Sequence, residues 1–404
     1  MNYKISKFYQ DMPTGNFAPA KRTSNFKLMQ DPAYFPFGAG NPSPDTFPVD
    51  KIREVYNEIF TTPALTKATL NYGFGAGYEP FLSNTKAWLN KLYGSMVTEN
   101  DDMMATAGGA EALAFPTMVL TDPGDVAIVE DPTFSATLSM FKHNGLTCVP
   151  VPMQTDGMDI EKLEAALKAN PKAKLIYVIS TFQNPTGYTT STEKRKAIYA
   201  LAQKYDVIIL EDNPYGELRY SGEVINPIKT LDTDGRVVYC SSYSKIMSPG
   251  IRLGYIIGNK ALMPVVQTAR INVHASMLAQ VMVGEFMNKY DLMEHIKSCC
   301  DYYRVKRDIM YNTLKENMPD SVTVSYPEGG LFLWVDLPEG CLSGPLSEKL
   351  LENKVIVFDG AGFQVDKSVP SHGMRLNFSM PSETQIEKGC KLMAEVTKAY
   401  LAGK

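Results

Sequence analysis

A chain of 404 residues is longer than one small core can organise, so two or three domains of roughly 100–200 residues are expected. Hydrophobic residues at 44% and charged residues at 21% are ordinary for a globular protein, and a net charge of −4 offers no bulk attraction to nucleic acid or to an anionic membrane. No apolar run approaches the roughly 20 residues that span a bilayer, the first residues lack the apolar stretch of a secretion signal, and the six cysteines and four histidines show neither disulfide nor metal spacing, so free thiols in a cytoplasmic protein are expected.

In chain order, residues 1–48 are an N-terminal segment with a helical tract at 24–30 and a turn region dense in Gly and Pro at 37–48. Residues 49–60 read as an amphipathic helix, 70–78 as a glycine-rich loop and 80–93 as a second helix. A strand at 102–106 runs through Ala107-Gly108-Gly109-Ala110 into an apolar helix reaching Leu120. Strands at 126–129, 147–150, 175–180, 207–210, 237–241 and 253–257 follow, interleaved with helices at 132–143, 160–168 and 193–204. That alternation predicts an α/β domain over 49–290, a mostly parallel sheet covered by helices. Helical segments at 278–289 and 292–315 bridge to a smaller α+β domain over 291–404, with strands at 322–325, 330–336, 355–358 and 373–379 and helices at 342–353 and 383–401.

In a parallel sheet, ligands sit at the carboxyl ends of the strands. The candidate polar groups fall there. Gly108–Ala110 opens a helix, where free N–H groups and the helix dipole favour an anion. Asn184 follows one strand. Glu211 and Asp212 end another, and one of these two carboxylates can face the sheet end to meet a cation. Phe134 offers an aromatic face at a strand-to-helix turn. Ser242, Ser244, Lys245 and Arg252 follow a fourth strand: hydroxyls and an arginine suit a phosphate, and a lysine beside it can become a nucleophilic amine. Lysine plus phosphate points to a Schiff base with pyridoxal phosphate, whose ring needs an anion at its nitrogen, donors at its phenolic oxygen and a flat group on its face. Each residue taken singly also has an ordinary structural use as cap, turn or core.

As a set, Asn184-Pro-Thr-Gly187, Glu211-Asp212-Asn-Pro-Tyr215 and Ser242-Tyr-Ser-Lys245 with Ser248-Pro-Gly-Ile-Arg252 resemble the fold type I pyridoxal phosphate enzymes, specifically the class I/II aminotransferases. The stretches at 40–48 and 71–82 are similar to the subgroup of 2-aminoadipate, kynurenine and aromatic amino acid aminotransferases. The resemblance implies roles. Lys245 is the Schiff-base and proton-transfer lysine. Asp212 meets the ring nitrogen, Asn184 and Tyr215 the phenolic oxygen, and Phe134 the ring face. Gly109, Ala110, Ser242, Ser244 and Arg252 hold the phosphate, joined by Tyr72 from a second subunit of a homodimer. Arg375, with Asn184 and the Gly40 backbone, grips the substrate α-carboxylate. The N-terminal segment packs on the small domain and the active site, where Lys21 and Arg22 are candidate partners for an acidic substrate side chain. Gly109 departs from the serine and Phe134 from the tyrosine frequent in relatives. The implied reaction is ping-pong transfer of an amino group from an aromatic, 2-aminoadipate-like or broader range of L-amino acids to a 2-oxo acid such as 2-oxoglutarate. The same fold also serves β-lyases and aminocyclopropanecarboxylate synthases, and some regulators carry such a domain behind a DNA-binding module, for which about 35 residues before the first cofactor loop are too few.

Overall fold

The short apolar runs of residues 101–259 assemble into one eight-stranded sheet. The computed structural model describes residues 27–271 and 274–403. The strands are β1 (Asp101–Thr106), β2 (Val126–Asp131), β3 (Thr147–Gln154), β4 (Gly157–Met158), β5 (Ala173–Val178), β6 (Ile208–Asp212), β7 (Val237–Ser242) and β8 (Gly254–Asn259). Their spatial order is β1-β8-β7-β6-β5-β2-β3-β4. The run β7, β6, β5, β2, β3 is parallel throughout, and β8 is reversed between β7 and β1.

That reversal positions the site. β1, β7, β6, β5 and β2 all end at one edge of the sheet. Because β8 runs the other way, it begins at that edge, with Thr106, Gly254 and Ser242 in register. The residue two before β8, Arg252, therefore joins residues that follow the other strands.

The period of two along each strand sorts side chains between the covering layers. Leu175, Tyr177, Leu210 and Val238 pack on one face, with residues of α4 (Gly109–Leu120) and α5 (Ser135–His143). Ile176, Val178, Ile209 and Val237 pack on the other, with α6 (Ile160–Ala169) and α7 (Thr192–Tyr205). Burial of such side chains contributes roughly 1.5–3 kcal/mol each. The remaining helices are α1 (Val49–Thr61), α2 (Pro63–Leu70), α3 (Glu79–Tyr93), α8 (Met263–Thr268), α9 (Met277–Lys289), α10 (Leu292–Asn317), α11 (Ser343–Glu352) and α12 (Glu383–Ala402). Of these, α2 and α8 are not anticipated by the sequence pattern. The helix expected from Pro132 starts at Ser135, because Pro132–Phe134 form the turn before it.

After α10 a four-stranded antiparallel sheet forms from β9 (Thr323–Val324), β10 (Phe332–Asp336), β11 (Phe358–Asp359) and β12 (Gly373–Asn377), in the order β9-β10-β12-β11. The chain before α1 is bound to this part. Phe35–Pro36 pairs with Val355–Ile356, Asn377 donates its N–H to the Phe37 carbonyl at 2.7 Å, and Tyr303 of α10 accepts from the Ser43 N–H at 2.9 Å. Residues 24–26 of the helical tract expected at 24–30, together with Lys21 and Arg22, lie outside the described residues. Among the described residues no helix is long and apolar enough to cross a membrane, and no group of His, Cys, Asp and Glu could hold a metal ion.

Candidate active site

Lys245 follows β7 through Tyr243, which is buried among Phe81, Trp88 and Tyr255 and fixes the turn. The Lys245 Nζ donates to the Gly40 carbonyl at 2.8 Å and lies 5.9 Å from the Tyr215 ring centre. Burial, with Arg375 and Arg252 nearby, lowers its pKa to about 8. An ammonium costs free energy there, so much of this lysine is a neutral amine near pH 8.

Gly108, Gly109 and Ala110 join β1 to α4. The first N–H groups of a helix have no intrahelical acceptor, and here no side chain caps them either. Gly108 has φ +92°, and a Cβ there would lie 2.7 Å from Arg252 Nη2, so glycine is required for the arginine to approach. Arg252 donates to the Ala107 carbonyl at 3.0 Å, and the Ser242 hydroxyl lies 3.7 Å from where a Gly109 Cβ would sit. Ser244 is buried beside Ser242, its N–H 3.4 Å from the Ser242 oxygen. An uncapped helix terminus, two hydroxyls and a guanidinium form a cradle for a phosphate.

Strand alternation separates the two carboxylates at the end of β6. Glu211 turns to one face and accepts from the Ser180 hydroxyl and the N–H groups of Ile228 and Lys229, at 2.5, 2.9 and 2.9 Å. It is a structural carboxylate. Asp212 turns to the other face, where Tyr177 donates to its Oδ2 at 2.8 Å; burial raises its pKa to about 7. A cation is what this position lacks, and a protonated ring nitrogen would supply one.

Arg375, on β12, reaches the same region from the C-terminal sheet. Its Nη1 donates to Asn184 Oδ1 at 2.9 Å and its Nη2 to the Gly38 carbonyl at 3.0 Å, while its buried Nε has no partner. The rings of Phe332, Phe358 and Phe363 surround the guanidinium at 4.3, 5.2 and 4.9 Å. No carboxylate pairs with it among the described residues, and burial lowers its pKa to about 10. A buried guanidinium without an anion suits a carboxylate ligand. Because arginine only donates, the Asn184 amide oxygen must face it, leaving the Asn184 NH₂ for another acceptor. The Tyr215 phenol is buried beside that amide, edge-on to Phe332 at 5.5 Å.

The structure thus brings Gly40, Gly109, Ala110, Asn184, Asp212, Tyr215, Ser242, Ser244, Lys245, Arg252 and Arg375 to one region. Phe134 stands half-buried at the start of α5, against the apolar layer that carries α4. Tyr72 is 90% exposed in the single chain. Tyr177, the three phenylalanines around Arg375 and the Gly38 carbonyl carry no spacing signal in the sequence, because each acts through a neighbour distant along the chain. The uncapped helix, the partnerless Arg375 Nε and the cation-poor Asp212 together fit pyridoxal phosphate and an amino-acid carboxylate.

The profile of one protein family, aminotransferase class I and II, matches residues 33–392. Aromatic-amino-acid aminotransferase 1 of Thermococcus litoralis is 36% identical over 378 residues, 92% of this chain and 90% of that protein. The crystal structure of a multiple substrate aminotransferase from Thermococcus profundus superposes with a TM-score of 0.92 at 32% identity, covering 99% of this chain and 98% of that one. The kynurenine aminotransferase of Pyrococcus horikoshii, solved in complex with PMP, with KYN as substrate and KYA as product, superposes at 0.91 with 34% identity and 98% of each chain covered.

Proposed function

The chain belongs to the class I and II aminotransferases and is a pyridoxal phosphate-dependent transaminase, and we propose that it moves the amino group of an aromatic or other largely apolar L-amino acid to 2-oxoglutarate in a ping-pong cycle. The observation that carries this is the pairing of a readily deprotonated lysine with a partnerless buried arginine, both at Gly40: Lys245 bonds its carbonyl, and a Gly40 Cβ would lie 3.7 Å from Arg375 Nη2.

Bound pyridoxal phosphate supplies a carbon that exchanges amines and a ring that accepts electrons. In this proposal Gly109, Ala110, Ser242, Ser244 and Arg252 hold its phosphate, Asp212 holds the proton on its ring nitrogen, Asn184 and Tyr215 donate to its phenolic oxygen, and Phe134 covers its face. Arg375 binds the substrate α-carboxylate bidentately and turns the α-carbon toward Lys245. Lys245 takes the proton from that carbon and returns it, a task suited to an amine whose pKa is near 8. The phenyl rings around Arg375 favour an apolar or aromatic side chain, the class named for the Thermococcus litoralis relative. For a 2-aminoadipate-like side chain, Lys21 and Arg22 remain the proposed partners.

A cytoplasmic homodimer is part of the same reading. Leu70, Tyr72, Phe74 and Ile271 are 70%, 90%, 81% and 78% exposed in the single chain, a patch suited to a second copy, and the six cysteines are free and buried. The division into residues 1–48, 49–290 and 291–404 is also ours, supported by the break between α9 and α10 and by the second sheet beyond it.

The test uses purified protein loaded with cofactor. A visible absorption band lost in Lys245→Ala, and turnover that requires a 2-oxo acid across a panel of aromatic, branched and 2-aminoadipate donors, is the expected result. Ammonia or pyruvate release independent of an oxo acid would overturn the transfer reading in favour of a lyase.

A further inference from the structure

The Asp212 side chain has one hydrogen-bond partner among the described residues, the Tyr177 hydroxyl at 2.8 Å from Oδ2. Tyr177 is fully buried on β5, the strand beside β6. Its ring is edge-on to Phe141 with centroids 5.5 Å apart, and its oxygen lies 3.1 Å from the Thr137 hydroxyl on α5. A phenol has a single proton. Once that proton is given to the carboxylate, the Tyr177 oxygen can only accept, so Thr137 is the donor of the second bond. The chain Thr137–Tyr177–Asp212 is therefore directional. It engages Oδ2 and leaves Oδ1 without a bond to the described residues.

We propose that Tyr177 is a positioning residue for the transamination, holding Asp212 as a carboxylate with its free oxygen turned to the cofactor's ring nitrogen, and that Thr137 orients Tyr177. The proposal rests on the pyridoxal phosphate reading above. Its physical basis is the composition of the surroundings. Besides Tyr177, the titratable groups facing Asp212 are Glu130 from β2, Cys240 from β7 and Tyr215 beyond β6. None is a cation. Burial raises Glu130 to about 8 and lifts the Cys240 thiol well above its usual range, so both favour neutral forms. Tyr177 is the one group of this set that donates to the carboxylate and opposes the effect of burial. Burial and the nearby Asp212 keep its own hydroxyl protonated and hence a donor.

Tyr177→Phe keeps the ring against Phe141 and removes the oxygen alone. Loaded with cofactor, this variant should retain the visible band, with the acid-side midpoint of its spectral titration raised by about one pH unit, since a carboxylate that loses a donor ionises later. Its kcat should fall about tenfold while KM for the amino donor stays within about twofold, as expected when an interaction with a charged group is lost without touching substrate binding. Thr137→Val should move the midpoint the same way by less, and Thr137→Ser should match the parent chain; these two variants carry the test if Tyr177→Phe does not fold. A purely structural role lowers thermal stability and leaves the midpoint in place, and that result overturns the proposal. A parent chain without the band, or a band that survives Lys245→Ala, overturns the cofactor reading itself and the proposal with it.

Discussion

Lys245 and Arg375 are two cations without an anion in one buried region, and each carries a separate prediction. Lys245 is held near a pKa of about 8 by burial and by Arg375 and Arg252. Since its value in an unfolded chain is about 10.4, the folded chain gives up this proton first as pH rises, and the cost of burying the ammonium, full below pH 8, fades between the two values. Only the neutral amine attacks a carbonyl. The rate at which cofactor-free protein acquires its visible band on mixing with pyridoxal phosphate should therefore rise with pH through a midpoint near 8. A midpoint near 10 would show that Lys245 is solvated. Arg375 makes its case through geometry: Asn184 and Gly38 take one N–H direction each, three phenyl rings close the sides, and Nε is left without a partner. Arg375→Lys keeps the charge and loses the planar fork. It should raise KM for both amino and oxo acids about 10- to 100-fold and leave the visible band intact.

At the scale of elements, the β1–α4 junction is central to the proposed cofactor site, and its two glycines answer to different constraints. Gly108 is fixed by φ +92° and by Arg252 Nη2 at 2.7 Å from a built Cβ. Gly109 has an ordinary φ, and its built Cβ meets only Ser242, at 3.7 Å or more. Gly109→Ser should be accommodated and should add a hydroxyl beside the helix terminus, tightening pyridoxal phosphate binding about two- to tenfold in an equilibrium titration. Gly108→Ala should weaken it at least tenfold by displacing Arg252. The alternation of strands and helices in this region, and the residues at strand ends, were legible in the sequence because local period and turn chemistry encode them. Strand order was not. The reversal of β8, which delivers Arg252, and the adjacency of β5 and β6, which joins Tyr177 to Asp212, depend on pairings that no window of sequence contains. Residue pattern alone leaves the choice between Glu211 and Asp212 open for the same reason: two adjacent residues face opposite ways, and without the resemblance only the packed layers tell their faces apart. The short helices α2 and α8 escaped because eight and six residues are too few for a helical period to stand out.

At the scale of the whole molecule, the site described for one chain lacks a residue that the family resemblance assigns to it. Tyr72 follows α2 and is 90% exposed, on a surface it shares with Leu70 and Phe74. Exposed apolar side chains carry a hydration cost that a second copy of the chain would remove on docking, in the homodimer proposed above. If Tyr72 then reaches the phosphate of the neighbouring chain, each active site is built from Lys245 of one subunit and Tyr72 of the other. Mixing two defective variants separates this from a site completed within one chain. Lys245→Ala has no functional amine, and Tyr72→Ala lacks the phosphate contact, which should weaken cofactor binding about tenfold. In a hybrid dimer assembled across chains, one site collects both defects. The other pairs an intact Lys245 with an intact Tyr72, and it should show parental cofactor affinity and turnover. Co-refolding the two inactive or weakened proteins should therefore restore activity toward one parental site per hybrid dimer, at cofactor concentrations where Tyr72→Ala alone is empty. If Tyr72 serves its own chain or none, the chain with an intact lysine carries the tyrosine defect with it, and no mixture exceeds the sum of its parts.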